Sequence, residues 1–173
     1  EGGAAVSVPP TLRALLAARL DRLGPGERGV LERAAVIGRG FAAGDVEALL
    51  DGPAAVTAHR HLEALVRRGF LARQDAAFEE AFRFRHGLIR DAAYRGAPKR
   101  ERAMLHERFA RLLDDGLDEL VGYHLEQAVR LRDELAPRDP ATDALAEEAG
   151  ERLGAAGIRI WKGHDAAGAS RLL

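Results

Sequence analysis

Residues 69–85 decide the fold: Gly69-Phe70-Leu71-Ala72-Arg73-Gln74-Asp75-Ala76-Ala77-Phe78-Glu79-Glu80-Ala81-Phe82-Arg83-Phe84-Arg85. Phe70 and Leu71 begin a short strand, and the polar residues from Gln74 to Glu80 read as a turn. Phe82-Arg83-Phe84-Arg85 then alternates apolar with basic, the two-residue period of a half-buried strand. The segment before it has the longer helical period. From about Ala55 to Arg68, residues Ala58, Leu62, Leu65 and Val66 share one stripe, and Gly69 fits the C-terminal stop.

Further upstream the helical period persists. Leu12, Leu15, Leu16, Leu20 and Leu23 recur at helical spacing after Pro9 and Pro10, and Gly24-Pro25-Gly26 ends that helix. Pro25 stands where the next helix would begin, since its missing N–H costs nothing in a first turn. That helix carries Val30, Leu31, Ala34 and Ala35 and stops at Gly38. A short helix with Val46, Leu49 and Leu50 follows, with Asp45 as its expected N-cap, and it stops at Gly52-Pro53. Three helices and then a hairpin form the pattern of a winged helix-turn-helix.

Downstream, helices resume. A short one spans Leu88 to Tyr94. A longer one follows Pro98 and is expected to bury Leu105, Phe109, Leu112 and Leu113. The segment Glu119 to Leu135 places Leu120, Val121, His124, Leu125, Ala128 and Leu131 on one face. Asp139-Pro140 reads as an N-cap with proline in the first turn of a helix carrying Leu145, Ala149, Leu153, Ala156 and Ile160. Gly163-His164-Asp165 is expected to break that helix, with Asp165 capping a last one that holds Ala169, Leu172 and Leu173. This final pair reads as a helical repeat cut short, with Ala156, Gly157 and Ala169 allowing close approach. The fold expected is mainly α: a winged helix-turn-helix followed by an α-helical, tetratricopeptide-like segment.

The chain has 173 residues, no cysteine and a net charge of -1. A chain this long buries enough surface to fold without disulfides or metals. The absence of cysteine excludes a disulfide framework, thiol catalysis and Cys-based zinc sites, and fits a reducing cytoplasm. No apolar run of the length of a membrane span occurs. Near-neutral charge argues against gripping DNA as the main task. The start Glu1-Gly2-Gly3-Ala4 is neither a Met start nor a signal peptide and reads as a cut inside a longer polypeptide.

No phosphate-cradling GxxxxGK[ST] loop, GxGxxG, HExxH or G-x-S-x-G occurs, so the chain is not read as an enzyme. Glu79 and Glu80 read as a solvated turn. His59 and His61 lie two apart, off a common helix face, and read as surface or partly buried. His106 and His124 fall within helices, His124 as a hydrogen-bonded core residue, and His164 lies in the expected inter-helix turn. His86 is set apart because it follows the second strand and directly precedes a helix. Unpaired N–H groups and partial positive charge at a helix start attract anions. From Arg83 to Arg102 seven Arg or Lys face two acids, Asp91 and Glu101. Two readings stand on residue types alone: a phosphate-touching His86 flanked by Arg83, Arg85 and Arg90, or a solvated charged face with a capping His.

The stretch Phe84-Arg85-His86-Gly87-Leu88-Ile89-Arg90-Asp91-Ala92-Ala93-Tyr94 resembles the end of the winged-helix domain in STAND-class, NB-ARC-like signalling ATPases. The matching family stretch reads Met-His-Asp, then Leu, an aliphatic, Arg and Asp. His86, Leu88, Ile89, Arg90 and Asp91 keep that pattern; Arg85 and Gly87 depart from it. Val8-Pro9-Pro10-Thr11-Leu12 with Leu20-Asp21-Arg22-Leu23 is similar to the bacterial junction between ATPase core and winged helix. Leu31-Glu32-Arg33-Ala34-Ala35-Val36-Ile37-Gly38, Phe41 and the segment from Leu62 to Leu71 continue the likeness. Tyr123-His124-Leu125-Glu126-Gln127-Ala128 resembles the linker helices before tetratricopeptide repeats, and Gly157, Asp165, Ala169 and Leu173 match positions of such a repeat.

The resemblance implies a domain order. Residues 1–23 form a junction helix from a missing ATPase core, 24–97 a winged helix, 98–138 linker helices, and 139–173 the start of helical repeats. It implies a non-catalytic regulatory fragment of a cytoplasmic bacterial signalling ATPase. The winged helix acts as a nucleotide-state latch and the helices as an interaction scaffold. His86 is then the sensor of the ADP phosphate, supported by Arg83, Arg85 and Arg90. No cofactor is expected in the fragment itself; ADP or ATP with Mg belongs to the full-length parent. The partners implied are the upstream core, the downstream repeats, and a protein inducer or a second copy. The outputs attached in such proteins are nucleotide cyclases or LuxR-type DNA-binding domains. Two alternatives stay open: a DNA-binding winged helix using Arg60, Arg67 and Arg68, with Arg83 and Arg85 at phosphates, and a scaffold for protein interaction only.

Overall fold

The computed structural model describes residues 10–74, 80–113, 116–137 and 139–169, with side chains described from 14 to 159 within those ranges. The protein is mainly helical with one small sheet, and it divides into two compact units, the first ending at Ala97 and the second beginning at Pro98.

The first unit opens with α1 (Pro10–Leu20), whose Leu20 is buried while Leu15 faces solvent. The expected stripe is therefore narrower than its leucine spacing suggests. Helix α2 (Pro25–Ile37) is the centre of the unit. It begins on Pro25, and the Gly24 N–H donates to Glu27 Oε2 at 3.1 Å. It buries Val30, Leu31, Ala34, Ala35, Val36 and Ile37. A continuous apolar face of this kind suits a helix enclosed by neighbours.

Strand β1 (Gly40–Ala42) leads directly into α3 (Ala43–Ala48). Asp45 is the third residue of α3, not its N-cap: its Oδ2 accepts from the Ala42 N–H at 3.0 Å, one residue before the helix. Helix α4 (Pro53–Arg67) buries Ala58, Leu62 and Leu65. It ends where Gly69 adopts φ +73°. The Phe70 N–H donates to Leu65 O and the Gly69 N–H to Val66 O, both at 3.0 Å. That paired closure needs a left-handed residue, which glycine supplies without steric cost.

Strands β2 (Leu71–Gln74) and β3 (Ala81–Phe84) pair antiparallel, with Leu71 opposite Phe84 and Gln74 opposite Ala81. The sheet has a third strand beyond the expected hairpin. β1 pairs with the other edge of β3, giving the order β1-β3-β2. Phe41, Phe82 and Phe84 meet on the inner face, with Phe41 stacked on Phe82 at 6.2 Å. Phe82 is fully buried; a buried aromatic of this kind contributes about 1.5–3 kcal/mol. Helix α5 (Gly87–Gly96) follows at once and turns Ile89 and Ala93 inward.

The described residues of the second unit form three helices, α6 (Lys99–Leu112), α7 (Asp118–Leu135) and α8 (Pro140–Ala169), with α7 packed against both others. Its core joins Ala110, Val121, Leu125, Ala128, Leu145 and Ala149. Leu105, Phe109 and Leu131 are also buried, but Leu112 and Leu120, both expected inside, are 49% and 39% exposed. Asp139 caps α8, its Oδ1 accepting from the Ala141 N–H at 3.1 Å.

Helix α8 runs unbroken through 163–165, so the expected turn there is absent and Asp165 lies inside a helix instead of capping one. Gly and Asp disfavour a helix by at most about 1 kcal/mol each, whereas proline is the residue that stops one. The expected final helix pair is thus a single helix as far as Ala169; Leu172 and Leu173 lie outside the described residues. Close approach of α7 and α8 occurs at Gly122, where a Cβ would meet Leu153 Cγ at 2.7 Å.

Candidate functional site

His86 sits between sheet and helix in a fixed backbone frame. The Arg85 N–H donates to Phe70 O at 3.1 Å, carrying the β2–β3 pairing one residue past β3. The next residue, His86, is the extended N-cap of α5, and its carbonyl accepts from the Ile89 N–H at 3.0 Å. Its side chain is exposed and makes no capping hydrogen bond to the helix, and no acidic residue occupies the first turn. The capping reading of the His86 side chain is therefore not what the geometry shows.

The arginines expected around it separate into two groups. Arg83 and Arg85 are exposed beside His86. Arg90 turns away: its Nε donates to Ala35 O at 3.1 Å, and the guanidinium lies 5.8 Å from the Tyr94 ring centroid, 3.8 Å from Asp91. Arg90 thus ties α5 to α2. A further arginine, Arg39, was not marked by sequence pattern. It lines a surface pocket of about 380 Å³ with Gly40, Gln74, Arg83, Phe84 and Gly87.

The residues of the nucleic-acid alternative also separate. Arg60 and Arg67 are exposed and lie seven apart, on one face of α4. Val56, 87% exposed, and Glu63 share that face. Arg68 is drawn back onto the body of the unit: Nη1 donates to Glu27 Oε2 at 2.6 Å and Nη2 to Arg22 O at 3.1 Å.

Glu80 is exposed and lies outside β3, as the solvated reading expects, but it is not isolated. It forms a network with His59, Glu63 and Arg73: His59 Nδ1 lies 3.3 Å from Glu80 Oε2, and Arg73 reaches Glu63 at 2.8 Å and Glu80 at 3.0 Å. The ligand atoms of His59, Glu63 and Glu80 lie within 4.8 Å of one another. The single Arg73 guanidinium bridges both carboxylates and offsets one of their two charges, so the network links α4 to β2 and to the residue preceding β3. Glu79 lies outside the described residues. His61 is half-buried beneath Gly26, where a Cβ would come within 2.5 Å of its Nε2.

In the second unit the histidines expected in helices are a buried pair, His106 Nδ1 and His124 Nδ1 lying 2.8 Å apart. The signal existed, since His106, Phe109 and Ala110 share one helical stripe. Asp118, the first residue of α7, accepts from Arg152 at 2.7 Å and from Arg159. Those two hydrogen bonds hold its carboxyl below the usual range. Arg111 grips Glu148 with both nitrogens and lowers that carboxyl likewise. A pocket of about 510 Å³ beside Asp118 is lined by Leu117, Leu120, Tyr123, Ala156 and Arg159 among others. His164 lies within α8, not in a turn.

Among the described residues no helix is long and apolar enough to cross a membrane. Comparison with protein-family models, curated proteins and solved structures finds no match to this chain.

Proposed function

We propose that the first unit is a winged helix-turn-helix that serves as a nucleotide-state latch in a STAND-class signalling ATPase, and that the second begins a helical interaction scaffold. The observation that carries this reading is the placement of His86. The element order helix–strand–helix–helix–strand–strand ends on a solvent-facing histidine at the start of α5. An imidazole there, backed by Arg83 and Arg85, suits contact with a phosphate held by another surface. That surface is the ATPase core of the same polypeptide, holding ADP or ATP with Mg. In this account the fragment is regulatory, not catalytic, and acts in the cytoplasm, with the core and further repeats as its partners and a protein inducer as the signal.

The test is a titration of ADP and ATP into a longer chain that joins this sequence to its core, with and without His86→Ala. A charge-assisted hydrogen bond lost from the closed form weakens ADP roughly tenfold, with ATP little changed. Equal ADP affinity in both chains removes the latch and leaves a scaffold.

One observation supports a second reading, a DNA-binding surface. Arg60 and Arg67 share the exposed face of α4 and have no ion-pair partner among the described residues. Duplex titration at two salt concentrations decides it: binding that falls steeply with salt and depends on both arginines favours this reading.

A further inference from the structure

We infer that Arg39, together with Arg83, forms an oxyanion-binding face on the outer side of the small sheet, fitted to a phosphate or diphosphate group. It rests on the reading above only in taking a nucleotide diphosphate as the natural carrier of that group.

The pairing of β1 with β3 makes the two residues neighbours. Gly40 lies opposite Arg83, and the Phe84 N–H donates to Arg39 O at 3.0 Å. Arg39 and Arg83 line the same pocket of about 380 Å³, and no carboxylate is among its lining residues within the described part of the chain. What sets the two apart from the equally exposed Arg60, Arg67 and Arg85 is that they line one pocket, while five other arginines of the unit are engaged elsewhere. Arg28, Arg68 and Arg73 each meet a carboxylate, and Arg33 and Arg90 donate to backbone carbonyls. Arg39 and Arg83 do neither among the described residues.

Two cations facing one concavity repel each other, and a bound anion converts that repulsion into two charge-assisted contacts. The planar fork of arginine matches phosphate oxygens two at a time. Gln74, on the same wall, adds an amide that can donate a further hydrogen bond. Gly40 keeps the floor open, since a Cβ there would approach Gln74 Oε1 to 3.3 Å. Arg39 immediately precedes β1 and Arg83 lies on β3, so the face exists only once β1 has joined the sheet.

Inorganic pyrophosphate is titrated into the 173-residue chain at low ionic strength, and amide chemical shifts are followed. The expected result is saturable shifts at Gly40, Arg83 and Gly87. Arg39→Gln and Arg83→Gln each weaken binding roughly tenfold. Arg95→Gln, an exposed arginine outside the pocket, binds as the parent does. Arg39→Lys, which keeps the charge but loses the fork, falls between them. Absence of saturable shifts, or unchanged affinity in Arg39→Gln, overturns the assignment. Duplex DNA that binds through Arg39 and Arg83 while pyrophosphate does not also overturns it. Failure of the latch is read separately: His86→Ala without effect on ADP in the longer chain leaves the pyrophosphate result standing.

Discussion

His106 Nδ1 and His124 Nδ1 lie 2.8 Å apart in the buried seam between α6 and α7. At that distance one ring donates a proton and the other accepts it, so the two rings hold complementary tautomers. The Phe109 ring meets His124 edge-on at 4.8 Å. His106→Leu removes the partner of a buried polar atom, and the second unit should lose about 1–3 kcal/mol of stability. Denaturant unfolding measures the loss. Nitrogen chemical shifts of the parent should show one Nδ1 protonated and the other bare.

Gly122 determines how closely α8 can pass α7. A methyl group there would stand 2.7 Å from Leu153 Cγ and 3.1 Å from the Leu153 backbone nitrogen. Moving the side chain alone does not relieve the second contact. Gly122→Ala should therefore destabilise the second unit by about 1–3 kcal/mol, as overpacking does, despite alanine's higher helix propensity. Gly157→Ala, at an exposed position with open space around its Cβ, should be neutral or stabilising. Thermal unfolding of the two variants side by side checks the contrast.

Asp118 binds two arginines that lie seven apart on α8, Arg152 and Arg159. Hydrogen bonds from both lower its carboxyl pKa in the folded chain, and Arg111 and Lys99 lower those of Glu148 and Glu134. A group whose folded pKa is depressed stabilises the fold fully above its unfolded value, about 4 for these carboxyls. That contribution is lost as pH falls through the lower folded value. The second unit should therefore unfold more easily with acid below about pH 4, and Asp118→Asn should lower the midpoint temperature at pH 7 while flattening its dependence on acid. Calorimetry between neutral and acid pH reads both effects.

Local chemistry made much of the fold legible. Pro25, Gly69 and Asp139-Pro140 marked helix ends because each acts through its own backbone or its nearest residues. Strand β1 was not legible: Gly40-Phe41-Ala42 is too short for an alternating pattern, and β3, about 40 residues away, makes it a strand. The misplaced break at 163–165 came from reading glycine and aspartate as stops where they are only mild costs. The candidate site divided the same way. The frame of His86 followed from the strand-to-helix junction. The destinations of Arg68 and Arg90 depend on Glu27 and Ala35, more than 40 residues earlier. Arg39 gained its place only through the unread strand.

In the proposed latch, the start of α5 meets a phosphate in the closed, ADP-bound form. Amide hydrogen exchange at residues 86–90 of the longer chain tests it most directly, measured with ADP and with ATP. The account predicts slow exchange at these residues with ADP and faster exchange with ATP, the difference disappearing in His86→Ala. Equal exchange in the two nucleotide states would contradict it.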